Sequence, residues 1–310
     1  MALVVVRPGL MTTVQDRGRP GYRRFGVPAG GAADLGAFDL ANALLGNPPD
    51  AAALELTLVG GSFRAEVDLA VALAGAPLAV AVEAGSGRSA RWSIPQTGTL
   101  RAGETLHLGG TPRGARCYLA VRGGWQAPII LGSRSGEQPL RAGDRLLAEP
   151  GTTTARRPSP ELVAAFGGSD AAEVPIRWVD GPDAPPSFAG LVGPYRVLGD
   201  SNRVGVRLDG SRIEVPTDPN RASRPVAPGA IQVADGQPIL LGVAGGTIGG
   251  YPHIGHVVAA DLDRVGQLRP GAEVRFERIG LAEARRLAAE SRQLRARWRA
   301  RLMAWAGCSA

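Results

Sequence analysis

Lysine is missing from this 310-residue chain altogether, so all 35 of its basic side chains are arginine. That excludes a lysine Schiff base, a pyridoxal phosphate attachment and a P-loop whose lysine reaches the terminal phosphates. Any nucleotide must be held by arginine forks, backbone N–H groups or a partner chain. Cysteine is scarce: Cys117 and Cys308 stand in contexts too unlike for a disulfide framework. Cys117, in an apolar strand-like run, reads as a buried free thiol. Aromatics make up only 5% of the chain. No uninterrupted apolar run reaches the roughly 20 residues of a membrane span. The Leu3–Val6 run is too short for a signal peptide and lacks a basic leader. Together these absences make a cytoplasmic protein the expectation.

What is abundant is punctuation. The 44 glycines and 25 prolines favour many short strands and turns over long helices. The net charge of +7 is concentrated at one end, because residues 281–310 carry seven Arg against two Glu. The rest of the chain is close to balanced. A single basic tail without a zinc-finger, RNA-recognition or helix-turn-helix pattern is weak evidence for nucleic acid, and none is expected as a partner.

The patterning predicts a mainly β protein with a few helices. Strands are expected at Leu3–Val6, at Ala53–Val59, and then in a regular series from Val67 to Ala148. The series resumes from Ile176 to Phe276, and this rhythm suits a barrel or sandwich. Asp34–Leu45 reads as a helix, with Asp34 as N-cap and Gly46-Asn47-Pro48 as its stop. Thr152–Pro160 reads as a linker. Residues 1–150 and 173–280 are therefore expected to form two domains, joined by 151–172. Residues 281–310 add an Arg-rich amphipathic helix whose stripe is Ala284, Leu287, Ala288, Leu294, Trp298, Leu302 and Trp305. Docking of that stripe on the protein's own surface is favoured over a partner or an anionic membrane.

Two internal echoes support a pair of related β-rich domains. Leu100-Arg101-Ala102-Gly103-Glu104 returns as Leu140-Arg141-Ala142-Gly143-Asp144 and as Leu268-Arg269-Pro270-Gly271-Ala272, each a tight turn into a strand. Gly21-Tyr22…Ala33-Asp34-Leu35 returns as Gly250-Tyr251…Ala260-Asp261-Leu262.

Three polar, glycine-rich clusters carry the candidate chemistry. Thr12–Pro28, with Gln15, Asp16, Arg17, Arg19 and Arg23, is too broken by glycine and proline for a helix. It reads as an ordered, ligand-facing loop. The vocabulary recurs at Ser201–Leu208 and at Gly249-Gly250-Tyr251-Pro252, so a site assembled from distant loops is expected. Asp16, Arg203 and Tyr251 would share one anion-receptive cleft. In Gly132-Ser133-Arg134-Ser135-Gly136, arginine stands where a nucleophile elbow has serine. Arg134 flanked by hydroxyls suits an anion or carboxylate, with a plain polar turn as the alternative. Gly85-Ser86-Gly87-Arg88-Ser89-Ala90 matches a dinucleotide fingerprint but opens no helix, and reads as a hairpin turn. His253 and His256 lack the further ligands of a zinc set, so no metal is expected and loop histidines are the default. Glu55 suits buried pairing with an arginine.

Read together, Pro8-Gly9-Leu10, Thr12 to Tyr22, Phe25-Gly26-Val27-Pro28, Leu54-Glu55-Leu56-Thr57, Tyr118 to Gly124, Leu131 to Ser135, Ser201-Asn202-Arg203, Gly249-Gly250-Tyr251-Pro252 and Gln267 to Gly271 resemble one family. It is the 5-oxoprolinase C-subunit family, also called KipA-like or allophanate hydrolase subunit 2, and the similarity runs in register over residues 3–279. The resemblance implies two cyclophilin-like β-barrel domains and a B-subunit or KipI-like partner. With an A-subunit-like hydrolase, such a complex couples ATP hydrolysis, with Mg2+, to opening the 5-oxoproline lactam. Phosphorylation of the carbonyl oxygen would activate that resonance-stabilised amide.

The resemblance implies a site lined by Gln15, Asp16, Arg19, Ser133, Arg134, Asn202, Arg203 and Tyr251. Asp16 would serve metal-nucleotide or base work, Arg134 and Arg203 anion binding, and Gly249 and Gly250 cofactor contact. Related members imply two alternatives: a carboxyltransferase module of the urea amidolyase type, acting on a biotin-borne carboxyl group and a urea-like substrate, or a non-catalytic KipA-like regulator. The chain departs from the family in two places. A glycine-rich insertion is reduced to Gly136-Glu137-Gln138-Pro139, and a polar run before Gly249 is replaced by Gly242–Ile248.

Overall fold

The computed structural model describes residues 2–87, 89–166, 174–185, 188, 190–215 and 221–307. Arg88 of the fingerprint-like turn, residues 167–172 of the expected linker, the Trp305 side chain and Cys308 lie outside the described residues. The chain divides into two compact units. Residues 1–19, 30–169 and 294–310 form the first, and residues 20–29 and 170–293 the second.

Among its described residues the first unit has eleven strands: β1 (Leu3–Arg7), β2 (Met11–Gln15), β3 (Ala53–Thr57), β4 (Val59–Ala65), β5 (Leu69–Gly75), β6 (Val80–Glu83), β7 (Ser89–Trp92), β8 (Gln96–Leu100), β9 (Thr105–Gly110), β10 (Arg116–Val121) and β11 (Arg145–Leu146). One sheet runs β11-β1-β4-β9-β6-β7 and the other β2-β3-β10-β5-β8. The period-two side-chain geometry of β5 explains both layers of packing. Leu69, Val71 and Leu73 point into the core with Leu54, Phe63, Leu106 and Leu119. Ala70, Ala72 and Ala74 face the other way, toward α1 (Leu35–Leu44), with Phe38, Leu40 and Tyr118. Small residues on that face let the helix approach the sheet closely. Asp34 caps α1, its carboxylate accepting from the Ala37 N–H at 2.8 Å. Cys117 is buried and free, and burial pushes its thiol pKa up.

The repeated Arg-Ala/Pro-Gly phrase is a turn in all three places. Gly103, Gly143 and Gly271 take φ of +85°, +91° and +82°, the third-position requirement of a type II turn. The turns close with hydrogen bonds to the carbonyls of Arg101, Arg141 and Arg269 at 3.0, 3.1 and 3.1 Å. Glu104 and Asp144 add carboxylate acceptors for the Arg101 and Arg141 N–H groups.

Three expectations are revised. Thr12–Gln15, expected within a ligand-facing loop, belongs to β2 and pairs in register with β3, with Thr12, Thr13 and Gln15 buried. The Thr-rich stretch expected as a linker is laced to the edge of β8. Thr99 and Thr97 hydroxyls donate to the Thr153 and Thr154 carbonyls at 2.8 and 2.9 Å, and the Thr97 N–H donates to the Arg156 carbonyl at 2.9 Å. A short helix follows, α2 (Pro160–Ala165), and buries Leu162 and Ala165 beside α1. The third revision concerns His253 and His256, which sit on a strand rather than in a loop. Gly85–Gly87 form the expected turn, between β6 and β7.

The second unit contains β12 (Ile176–Asp180), β13 (Tyr195–Val197), β14 (Gly205–Asp209), β15 (Arg224–Pro225), β16 (Ala230–Ala234), β17 (Gln237–Leu241), β18 (Ile248–Gly249), β19 (His253–Val257), β20 (Glu273–Val274) and β21 (Phe276–Arg278). The eight-stranded sheet runs β20-β13-β14-β17-β16-β19-β12-β21. Its two edges, β20 and β21, are consecutive in the chain, so the sheet curls until its ends nearly meet and forms a barrel. Trp178, Tyr195, Ile231, Leu240 and Ile254 fill it. Asp261 precedes α3 (Leu262–Gly266) as Asp34 precedes α1, but its side chain does not cap. Instead it accepts from the Arg177 Nε at 3.0 Å and Nη2 at 2.5 Å, and from the Arg177 N–H at 2.8 Å.

The C-terminal helix, α4, spans Leu281–Gly307. Leu302 is buried and Trp298 half-buried against α1 and α2 of the first unit, as expected for a docked stripe. One member of the stripe differs: Leu294 is 44% exposed, and Arg295 and Arg299 turn inward. Their charges act on Asp39 of α1, which also pairs with Arg17. An inward carboxylate therefore selects arginine over leucine on that face.

Candidate functional site

In the first unit, polar groups concentrate where β2 ends beneath the 130–136 loop. Asp16 follows β2 directly and is 5% exposed. Its Oδ1 accepts from the Gly18 N–H at 2.7 Å, the Ser133 hydroxyl at 2.6 Å and the Ser135 hydroxyl at 2.7 Å. Its Oδ2 accepts from the Arg134 N–H. Burial alone would raise the Asp16 pKa. The two hydroxyls and the two N–H groups outweigh it and hold the carboxyl below its usual value. Three of these donors converge on Oδ1 and one on Oδ2, which fixes the carboxylate in place. Asp16 is an anion that shapes the loop.

Its neighbours do the same. The Gln15 amide donates to the Gly136 carbonyl at 2.7 Å and to Thr13 Oγ1 at 2.9 Å. The Arg19 guanidinium donates to the Ser135 carbonyl at 2.6 Å and to the Ile130 carbonyl at 3.3 Å. Ser135, one of the two hydroxyls flanking Arg134 but outside the expected site lining, is a third support, since its hydroxyl also accepts from the Asp16 N–H at 3.1 Å. Two polar groups of the cluster are not committed in this way: the buried Gln15 Oε1, which has no hydrogen-bond partner among the described residues, and the side chain of Arg134. The Arg134 backbone is tied to Asp16, while its half-buried side chain leaves Nε without a hydrogen-bond partner among the described residues. A planar fork held at a rigid backbone is suited to one carboxylate, phosphoryl or carbonyl oxygen group.

A polyphosphate asks for more. Cradles for such groups are built from several converging backbone N–H donors. From Ser133 to Gly136 those donors are all engaged, with Ile130, Asp16, Ser133 and Val14 respectively. The backbone from Ser133 to Gly136 therefore has no N–H group left to cradle a polyphosphate. No cluster of three or more His, Cys, Asp or Glu side chains able to hold a metal is present among the described residues.

The remaining candidates lie in the second unit. Asn202 Oδ1 accepts from the Val204 N–H at 2.8 Å and shapes the turn into β14. Arg203 is 4% exposed and its carbonyl accepts from the Ala244 N–H at 3.1 Å. Tyr251 precedes β19 and is exposed. At Gly249 a Cβ would come within 2.5 Å of Gln232 Nε2, so the glycine answers to that packed amide. A Cβ at Gly250 would meet Ser223 Oγ at 3.6 Å, an ordinary contact, so no packing requires glycine there. Structure thus brings Gln15, Asp16, Arg19, Ser133 and Arg134 into one cluster of the first unit. It places Asn202, Arg203, Gly249, Gly250 and Tyr251 in the second.

Sequence reading also missed Asp183. Its carboxylate pairs with Arg221 and Arg224 and accepts from the His253 N–H at 2.8 Å. Desolvation opposes its charge, but Arg221, that N–H and Arg224 prevail and lower its pKa. The Gly181-Pro182-Asp183 turn was the one local signal for it. Elsewhere Glu55 meets the expected buried pairing, through Arg116 at 3.5 Å, and accepts from the Tyr118 hydroxyl at 2.7 Å.

Fold and site together define a class: a mainly β protein of two barrel-type units, carrying an arginine on a carboxylate-braced loop. The chain belongs to the carboxyltransferase domain family, whose pattern, described as subdomain A and B, matches residues 25–278. It is 33% identical to the C subunit of 5-oxoprolinase from Escherichia coli over 91% of this chain and 93% of that protein. It is 32% identical to urea amidolyase of Lachancea kluyveri over 92% of this chain, which spans only 17% of that protein. Among solved structures, the urea carboxylase of Kluyveromyces lactis matches with a TM-score of 0.80 at 27% identity, over 96% of this chain and 29% of that one.

Proposed function

We propose that this chain is the C-subunit-like component of an ATP-dependent 5-oxoprolinase, working with a KipI-like partner of the B-subunit type. The observation that carries the reading is end-to-end similarity to a protein of that name, in contrast to the small fraction of urea amidolyase that the chain spans. In this reading Arg134 receives the carboxylate of a small cyclic amide, and Asp16, Ser133, Ser135 and Arg19 fix the loop that presents it. The nucleotide is held by a partner chain, consistent with the committed N–H groups of the loop. Ile129, Ile130 and Leu131 supply a contact surface beside the site: they are 60%, 62% and 43% exposed, and Leu131 sits at φ +52°. Consecutive exposed apolar side chains on a strained turn suit a protein partner.

The test is reconstitution with a B-subunit-like protein and an A-subunit-like hydrolase, followed by turnover of 5-oxoproline and ATP. Arg134→Ala is expected to lower kcat/KM about a hundredfold, the scale of one lost charged contact to a reacting anion. Full activity of that variant would remove Arg134 from the site. ATPase activity indifferent to 5-oxoproline would favour a KipA-like regulatory role. A second reading, a carboxyltransferase module using a separate biotin carrier, is favoured by the urea carboxylase fold match. Carboxyl transfer from a carboxybiotin donor, without lactam opening, would establish it instead.

A further inference from the structure

The first unit carries a cavity unrelated to the Asp16 cluster. It has a volume of about 350 Å3 and lies where the laced 153–159 segment, α2 and the last turns of α4 meet. Its floor is apolar: Leu44, Leu162, Trp298 and Leu302. Its rim is cationic, with Arg156, Arg157 and Arg301, and no Asp or Glu among the described residues lines it. Arg301 lies over the Trp298 ring, 5.0 Å from its centroid. The one hydrogen bond of the Arg157 guanidinium among the described residues is a long one, 3.4 Å from Nε to Gln96 Oε1. Glu161, nearby on α2, is engaged with the Ser159 hydroxyl. The backbone beneath Arg156 and Arg157 is held to β8 by the Thr97 and Thr99 bonds, so the rim does not depend on a mobile linker.

Elsewhere in this protein arginines pair with carboxylates, as Arg17, Arg177 and Arg221 do. Around this cavity Arg157 and Arg301 flank a hydrocarbon floor, and no acidic side chain among the described residues of the lining pairs with either of them. Cavities of about 300–1,000 Å3 with apolar walls and a few oriented polar groups are the usual form of small-molecule sites. The charge selects an anion, and the planar donor fork selects a carboxylate in particular. We propose that the cavity binds an amphiphilic carboxylate: an aromatic or medium-chain hydrocarbon body lying on Trp298 and Leu302, with its carboxylate between Arg157 and Arg301. This inference does not depend on the 5-oxoprolinase reading.

Calorimetric titration of the full chain tests it, with octanoate, octan-1-ol and acetate as probes. Octanoate is expected to bind at least about tenfold tighter than either of the others, since each lacks one half of the recognition. Arg157→Gln and Arg301→Gln are each expected to weaken octanoate about tenfold and leave octanol unchanged, because a charge-assisted hydrogen bond is lost from an exposed side chain. Equal affinity for octanoate and octanol would overturn the proposal and mark the cavity as a plain apolar docking face. Absence of octanoate binding, or binding indifferent to both arginine variants, would also overturn it.

Discussion

Replacing Asp16 with asparagine isolates the bracing role of its charge with almost no change in shape. The wild-type carboxylate accepts four donors, two hydroxyls and two N–H groups. Asparagine keeps one oxygen and turns the other acceptor into an NH2 group. If its oxygen stays with Ser133, Ser135 and Gly18, its amide faces the Arg134 N–H, donor against donor. One buried N–H is then unsatisfied, at a cost of about 1–3 kcal/mol, and the remaining bonds lose their charge assistance, about 1 kcal/mol more. A total of about 3 kcal/mol is expected for the first unit, read from urea denaturation of wild type and variant. Native-state hydrogen exchange gives the local readout: the Arg134 amide should lose protection more than amides of β5 do. Acid supplies a second readout with a defined sign. The Asp16 pKa is depressed in the folded state, so its contribution is present above the unfolded value and lost as pH falls through the lower folded value. The gap between the two proteins should therefore close in acid. A stability change under about 0.5 kcal/mol, with Arg134 protection unaltered, would refute the bracing role.

Other perturbations probe other links. Leu73→Ala should cost about 2–5 kcal/mol through a core cavity, while Ala72→Leu, on the opposite face of β5, should cost about 1–3 kcal/mol by wedging α1 away; denaturation midpoints check both. Asp261→Ala should destabilise the second unit by about 3 kcal/mol, because it strips Arg177 of its buried partner; retained stability in denaturation would contradict this. Tyr118→Phe should cost about 1–3 kcal/mol by removing the acceptor of the Asp34 N–H and a donor to Glu55, measurable by the same titration. His253 and His256 are held below their usual pKa by burial, and His256 also by the charge of His253. The unfolded state then binds more protons as pH drops through about 6.5, so stability present above that value declines below it. Unfolding free energy that stays flat from neutral pH to about 5.5 would show that these rings are not buried neutral.

The sequence alone determined what is local. Alternating large and small residues in Leu69–Gly75 specify two differently packed faces, because strand geometry has a period of two. Asp34 before an apolar run specifies a helix start, and an arginine turn with glycine in third place specifies its own backbone. Resemblance along the chain carried the family.

Tertiary structure alone decided where distant polar groups meet. Asp16 is held by donors that include groups 117 to 119 residues away, and nothing in its sequence neighbours distinguishes a braced carboxylate from a free one. The Thr152–Pro160 stretch has the composition of a linker, yet its backbone is bonded to the hydroxyls of β8 and becomes the wall of a cavity. On α4, periodicity put Leu294 inside, whereas the carboxylate of Asp39 drew Arg295 and Arg299 inward. Backbone preferences act within a few residues, while hydrogen bonds and charges act between whatever the fold brings together.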